Sequence, residues 1–423
     1  MSKKNLIFYF LIPVAVQSII LIVILLLTPN YPIGTDFEKA YYPLAKSILN
    51  GEGYHIDGRF NAQYPPGYPL ILIFPHILSR MLNIGILPVI RFINIILLSS
   101  SVLILFNLAK FEFGEKVALL SAYLWMIYPF DLWLLRCGYS EIPFIVFILL
   151  SLFFTIKMIR KPSKKYSFLV GLFSGISTLI RPIAMLWFLI PCLSIFFLIK
   201  IDIRKRLLLI FLIVLVFIGI LLPWEIYVYK NTGDLVVVSK EGWTSIVYGI
   251  TFGAGFNENI PGKLPISHDI HDFMVKTREF DLSLRPLGKM LSQPENLIPY
   301  LKSEFLKNPF LFIKLFLYKL TRAWYGTEEM WYEKYILIIQ GPLFVLFMFG
   351  SIISLRYLFK KRYIFYILLS HIIYFWVMTT IALSILRIMI PAMPIVLIFV
   401  IISIIFLLNK KSLVSNEVDK GFK

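Results

Sequence analysis

Charge is what this sequence has least of. Only 16% of its 423 residues are Asp, Glu, Lys or Arg, while 59% are hydrophobic. A soluble globular chain carries about a quarter charged residues, so an ordinary water-facing surface is excluded. Cys137 and Cys192 are the only cysteines, which excludes a disulfide framework and a cysteine-based metal motif. There is no glycine-rich loop of the kind that cradles nucleotide phosphates, and no nucleotide-fold pattern. No internal repeat is evident. The alternating pattern of porin strands is missing too, because the apolar runs are continuous.

What is present is a series of long apolar stretches. Crossing a bilayer takes roughly 20 mostly apolar residues in a helix, and helices are the default because lipid satisfies no backbone polar group. The chain therefore reads as an all-α polytopic membrane protein. Ten spans are expected, at about 6–28, 88–109, 117–135, 141–158, 166–181, 183–200, 206–223, 335–357, 363–384 and 389–408. Leu6–Leu27 lacks a following small-residue cleavage site and is succeeded by further spans, so it reads as a retained first helix.

The net charge of +18 suggests a nucleic-acid partner only until its placement is seen. Lys3 and Lys4, Lys110 and Lys116, Arg160 to Lys165, Lys200 to Arg206, Arg356 to Arg362, and Lys410 with Lys411 mark one end of successive spans. That is the positive-inside pattern. It predicts a multi-pass protein of the plasma (cytoplasmic) membrane with both termini in the cytoplasm, and no nucleic acid. Trp224 to Lys334 instead balances 13 basic against 13 acidic residues, as an extracytoplasmic segment would. The organisation read from this is a transmembrane core over 1–223 with an outer loop at 29–87, an extracytoplasmic segment over 224–334, C-terminal spans over 335–408 and a disordered cytoplasmic tail over 409–423.

In the outer loop, Phe37, Ala40, Tyr41, Leu44, Ala45 and Ile48 recur at helical spacing, and Gly51 and Gly53 stop the pattern. Tyr68–Leu82 is apolar but short and proline-rich, so it reads as a juxtamembrane or re-entrant helix. Phe310–Trp324 reads as an amphipathic interfacial helix with Trp324 and Tyr325 at headgroup depth.

Ionisable groups near a membrane are functional candidates by default. On the outer side these are Asp36, Glu38, Asp131, Arg136, Glu141, Arg181 and Arg387. Arginine grips phosphate in fork geometry and a carboxylate can take a hydroxyl proton, so the set suits an anionic lipid substrate. Each has a structural alternative. Asp36 could simply cap the loop helix. Glu141 could complement a helix dipole. Arg181 and Arg387 could snorkel to the headgroups, and Asp131 could pair with Arg136. His268 and His271 lack a spaced acidic partner, so no metal site is assigned, although a divalent metal stays open.

Taken in chain order, the segments GTDFEKAYYPLAKSILNGEGY, AQYPPGYPLIL, GYSEIPFIVFILL, GLFSGISTLIRPIAML, LLPWEIYVYKNTGDLVVVSKEGWTSIVYG, FLKNPFLFIKLFLYKLTRAW and LRIMIPAMP resemble the polyprenyl-phosphate-sugar-dependent glycosyltransferases of the GT-C superfamily. The likeness is to the protein O-mannosyltransferase-like families, which include the lipid A aminoarabinose transferase and the rhizobial lipopolysaccharide galacturonosyltransferases. The resemblance implies a seven-helix catalytic core and a donor sugar on undecaprenyl or dolichyl phosphate. It also implies transfer with inversion to a glycan, lipid or protein acceptor at the outer face. It places the family's general base on Asp36, with Glu141 positioning it or the acceptor. Arg181, Arg387 and Arg136 become candidates for the donor phosphate, and Tyr64, Pro65 and Pro66 for the donor groove. One departure is that Gln63 and Tyr64 stand where the aminoarabinose transferase has an acidic and a basic residue before its Pro-Pro. Competing readings are a transporter or flippase, and a glycan polymerase acting on polyprenyl-linked substrates. Transporters commonly show internal repeats.

Overall fold

The computed structural model describes residues 7–29, 34, 36–254, 260–284, 294–357 and 362–408; Lys3, Lys4 and the expected tail at 409–423 lie outside them. In chain order the helices are α1 (Ile7–Leu27), α2 (Tyr42–Leu49), α3 (Gly67–Leu82), α4 (Ile86–Phe113), α5 (Glu115–Met126), α6 (Pro129–Leu134), α7 (Glu141–Arg160), α8 (Lys164–Ile180), α9 (Leu189–Leu198), α10 (Ile203–Thr232), α11 (Glu241–Thr251), α12 (His268–Leu284), α13 (Pro294–Lys307), α14 (Pro309–Arg322), α15 (Glu333–Tyr357), α16 (Arg362–Ile381), α17 (Leu386–Met389) and α18 (Met393–Leu408). The one sheet among the described residues is a hairpin of β1 (His55–Ile56) and β2 (Arg59–Phe60) in the register His55 to Phe60 and Ile56 to Arg59. Asp57 and Gly58, both at positive φ, turn it. This is the Asp-Gly chemistry that tight hairpins require.

The chain is a multi-pass membrane protein. Among the described residues, eight helices are long and apolar enough to cross a bilayer. Two of the ten expected spans are shorter: α8 has 17 residues, and the apolar stretch Pro182–Leu198 is broken by a 3-10 turn before α9. The stretch expected to be juxtamembrane is the 16-residue α3, with Pro75 inside it. Helix α10 continues past Trp224 to Thr232.

The chain divides into two compact units. The first comprises Met1–Lys240, Leu346–Ile372 and Ile390–Lys423. Its centre is α7 against α8 and α8 against α10. Gly171 and Gly175, four apart on α8, permit that approach: a Cβ at Gly171 would sit 2.6 Å from the Ile213 carbonyl oxygen, and one at Gly175 would sit 2.8 Å from Ile220 Cβ. Small residues at this spacing are the usual means of close helix packing where lipid gives no hydrophobic drive. Buried hydroxyls add direct bonds, with Ser151 and Ser174 Oγ 2.8 Å apart and Trp125 Nε1 donating to Ser101 Oγ at 2.8 Å. Trp187 Nε1 donates to His371 Nδ1, and His371 Nε2 lies 3.2 Å from the Pro391 carbonyl. That arrangement gives a neutral imidazole with its proton on Nε2.

The second unit comprises Glu241–Val345 and Ile373–Met389. Phe252, Ile270, Phe273, Met274, Leu315 and Met330 form its core. The expected amphipathic helix is α14, and Trp324 and Tyr325, just past its end, are buried within the unit. Trp324 packs edge-on against Phe344 and Trp376. Two cations of α14 find partners inside the unit. Arg322, fully buried over the Phe252 ring, donates to Glu333 Oε1 at 2.7 Å and to the Ser384 carbonyl at 3.1 Å. Lys319 Nζ donates to the carbonyls of Ile381 and Ala382 at 3.1 and 2.9 Å. These are the free carbonyls at the end of α16, which need donors from somewhere.

Candidate active site

The outer-loop helix starts with an unusual turn. Asp36 already has helical backbone angles, φ −64° and ψ −36°, and its side chain makes no capping hydrogen bond. The turn Phe37–Tyr41 is a π-turn, with the Tyr42 amide donating to the Phe37 carbonyl, and α2 follows. Pro43 has no N–H to give the helix, and the wide turn accommodates that gap one step upstream. Phe37, Ala40, Tyr41, Leu44 and Ala45 are buried along one face, as their spacing predicts. The capping explanation for Asp36 therefore finds no support in its geometry.

Two glycines let this turn lie flat against the segment before α7. A Cβ at Gly34 would approach Tyr139 Cε1 to 2.6 Å, and one at Gly138 would overlap the Phe37 ring. Asp36 is thus carried next to the stretch that leads into Glu141. Glu141 opens α7, is 1% exposed, and holds Arg181 at 2.7 Å. Arg181 also donates to Ser140 Oγ at 2.9 Å. Its own place follows from the next residue. Proline disfavours helical angles in the residue before it, so α8 stops at Ile180 and Arg181 is extended at φ −143°, ψ 117°. The Arg-Pro pair ends the helix and delivers the guanidinium to the start of α7. The pairing replaces the snorkelling explanation for Arg181.

The start of α3 closes the same region. A Cβ at Gly67 would sit 2.5 Å from the Leu179 backbone, so the Pro-Pro-Gly corner lies directly on the last turn of α8. Pro65 and Pro66 are buried and Tyr64 is half-buried, so of the three only Tyr64 offers surface to a ligand. Tyr54 Oη donates to the Pro65 carbonyl at 2.9 Å. Tyr41 meets Tyr64 and Tyr68 edge-on, at ring separations of 5.5 and 5.1 Å. Burial, with the Glu141 carboxylate close by, holds the Tyr68 phenol well above its ordinary range. Tyr41, Tyr68 and Tyr139 are not among the site candidates of the sequence, because only folding brings Tyr68 and Tyr139 to the Asp36 turn.

Behind these residues the segment after α10 folds back along the helix and meets the chain just past the hairpin. Trp224 Nε1 donates to the Val238 carbonyl at 2.8 Å, the Val238 amide to Glu225 Oε1 at 2.7 Å, and the Lys240 amide to the Ala62 carbonyl at 3.1 Å.

Arg136 is buried, its guanidinium 4.0 Å over the Trp133 ring, and its carbonyl accepts from Arg91 Nε at 2.9 Å. The expected Asp131–Arg136 pair is not formed; among the described residues Asp131 makes no ion pair and is fully buried in the first turn of α6. Short as α6 is, it turns the chain so that Asp131 points into the bundle. In the second unit Arg387 pairs with Glu328 at 2.7 Å. Among the described residues no three His, Cys, Asp or Glu side chains gather as metal ligands would.

The family model described as dolichyl-phosphate-mannose-protein mannosyltransferase matches residues 69–227. No curated protein matches the sequence. Among solved structures, the chain is similar to the apo oligosaccharyltransferase of Archaeoglobus fulgidus, with a TM-score of 0.56 and 14% identity over 96% of this chain and 51% of that one. The same archaeal enzyme, AglB, in complex with an inhibitory peptide and a dolichol-phosphate gives a TM-score of 0.55 and 15% identity over 94% and 50% of the two chains. ArnT from Cupriavidus metallidurans, bound to undecaprenyl phosphate, matches with a TM-score of 0.48 and 13% identity over 93% and 59%. The chain thus spans about half the length of the oligosaccharyltransferase it matches. The fold is that of the archaeal oligosaccharyltransferase.

Proposed function

From this fold we propose that the chain is a membrane-embedded inverting glycosyltransferase that takes a sugar from a polyprenyl monophosphate. The observation that carries the reading is the convergence of the Asp36 turn, the buried Glu141–Arg181 pair and the Pro-Pro-Gly corner at one end of the first unit. Two comparisons support it. The matching family model is named for a dolichyl-phosphate sugar, and AglB, whose fold this chain shares, is held with a dolichol-phosphate.

In this reading Asp36 accepts the proton of an acceptor hydroxyl as that oxygen attacks the anomeric carbon. The bond from that carbon to the phosphate oxygen breaks, and the lipid phosphate leaves with the electron pair. Arg181 faces the developing phosphate charge, where a preorganised cation acts most strongly. Glu141 and Ser140 fix the guanidinium so that little ordering remains at the moment of reaction. Tyr64 lines the sugar side. The basic clusters support an orientation with this end of the bundle outside the cytoplasm, residues 1–223 as the catalytic core, 224–334 as an extracytoplasmic segment, and both termini inside.

The test is transfer by purified protein from a polyprenyl monophosphate sugar, side by side with the corresponding nucleotide sugar. Turnover from the lipid-linked donor alone is expected. Turnover from a nucleotide sugar in lipid-free detergent would overturn the reading.

A further inference from the structure

At the end of the first unit formed by the α7–α8 turn, far along α7 from Glu141, a cavity of about 150 Å³ opens between α4 and α7. Leu108, Phe111 and Ile156 make its apolar wall, and Lys157, Arg160 and Lys161 stand at its rim. Three cations against one acid leave the cavity net positive. That acid, Glu112, is almost fully buried and is engaged by Arg160 at 2.6 Å. Arg160 also donates to the Phe111 carbonyl at 3.0 Å, so its guanidinium is tied to α4. Among the described residues Lys157 and Lys161 have no such tie. Lys157 Nζ lies over the Phe153 ring at 4.4 Å, a contact that orients an ammonium without neutralising it. Lys161 is exposed just past the end of α7. The apolar flank continues outward, since Phe111 is 55% exposed.

We infer that this cavity is a binding site for an anionic phospholipid. The two lysines take the phosphate of the headgroup and the Phe111 flank takes the first part of an acyl chain. The positive-inside pattern puts this end in the leaflet where anionic lipids are concentrated, and basic pockets between membrane helices on that side suit such headgroups. Charge complementarity argues for the class of ligand, and the apolar wall beside the cations argues for a lipid over a soluble phosphate. Nothing in the proposed transfer reaction uses these residues.

The experiment is native mass spectrometry and thermal unfolding of the full chain in detergent, titrated with phosphatidylglycerol, phosphatidylcholine or inorganic phosphate. Phosphatidylglycerol should remain bound through activation and raise the unfolding temperature, and the other two should do neither. The K157Q/K161Q double variant should bind phosphatidylglycerol about 30-fold more weakly, at about fivefold for each membrane-surface lysine. Both lysines keep solvent contact, so the lipid-free unfolding temperature should not change; if it falls, the single variant K161E carries the same comparison. Equal phosphatidylglycerol binding by variant and wild type would overturn the assignment. A response to inorganic phosphate as strong as to the lipid would overturn the lipid part of it, and an equal response to phosphatidylcholine would overturn its charge selectivity.

Discussion

The Asp36 side chain separates two explanations that look alike in a sequence. An aspartate before a helical pattern is an ordinary cap, but here it sits inside the helical conformation and caps nothing. Asn at this position keeps the size and the hydrogen-bonding oxygen and removes only the basicity. Asp36→Asn is expected to insert and to bind donor like the wild type while losing transfer by about 100- to 10,000-fold, the usual worth of a positioned base. Transfer close to wild type by a well-expressed variant would remove Asp36 from the mechanism. The Glu141–Arg181 pair gives a second expectation. Removing one member of a buried pair strands the other charge, at roughly 3–5 kcal/mol. Because Arg181 keeps 17% side-chain exposure, Glu141→Gln should fall below that range in stability cost, yet should weaken donor binding by loosening the guanidinium. Arg181→Lys keeps the charge but loses the fork, so it should bind donor more weakly than wild type and more tightly than Arg181→Ala. Equal donor affinity across all three, measured by titration with the lipid phosphate, would return Arg181 to a purely structural role.

Among the elements, α3, α7 and α8 show why part of the site was legible and part was not. Ser140–Glu141 before an apolar run marks a helix start, and Arg-Pro marks a helix stop, because both signals are local backbone chemistry. The helical spacing from Phe37 to Ile48 was legible for the same reason. That the stop of α8 faces the start of α7 is a packing outcome, and no spacing announces it. The Ile-Asp-Gly-Arg hairpin turn carried a readable signal that was passed over. The partners of the α14 cations are a packing outcome of the same kind, which the sequence does not announce. Lys319 shows the consequence. Burial, then the nearby Arg322 charge, lower its pKa to about 7. A lysine with a depressed folded-state pKa binds fewer protons folded than unfolded between that value and its ordinary one, so stability rises with pH across the window. The unfolding temperature of wild type minus that of Lys319→Met is expected to grow as pH is raised from about 7 towards about 10. A flat difference over that range would contradict a buried, neutralising Lys319. Gly67→Ala belongs to this scale too. The added methyl must push α3 off the end of α8, so it is expected to lower stability by about 1–3 kcal/mol, as overpacking does, and to lower transfer with it, both measurable in one detergent preparation.

For the whole molecule the expectation concerns sidedness. Single cysteines introduced at Glu52 and Lys164, both exposed, in a chain whose buried Cys137 and Cys192 are replaced, should react from opposite faces of the membrane. Glu52 should be labelled from outside and Lys164 only after permeabilisation. Labelling of both from one face would break the proposed topology, and labelling of Lys164 alone from outside would invert it.

The π-turn at Phe37–Tyr41 bears on how this chain tolerates changes in length. Such a turn holds one residue more than an α-turn while leaving the flanking helical faces in step. A single-codon deletion at Lys39, which is exposed, could therefore be absorbed by relaxing the turn to ordinary winding, with Asp36 still facing the Glu141 segment. The same deletion inside Tyr42–Leu49 has no slack to draw on. It would swing everything upstream by about 100° around the helix axis, carrying Asp36 away from its neighbours. A register of insertions and deletions across this loop, scored for activity, should show one forgiving position followed at once by intolerant ones.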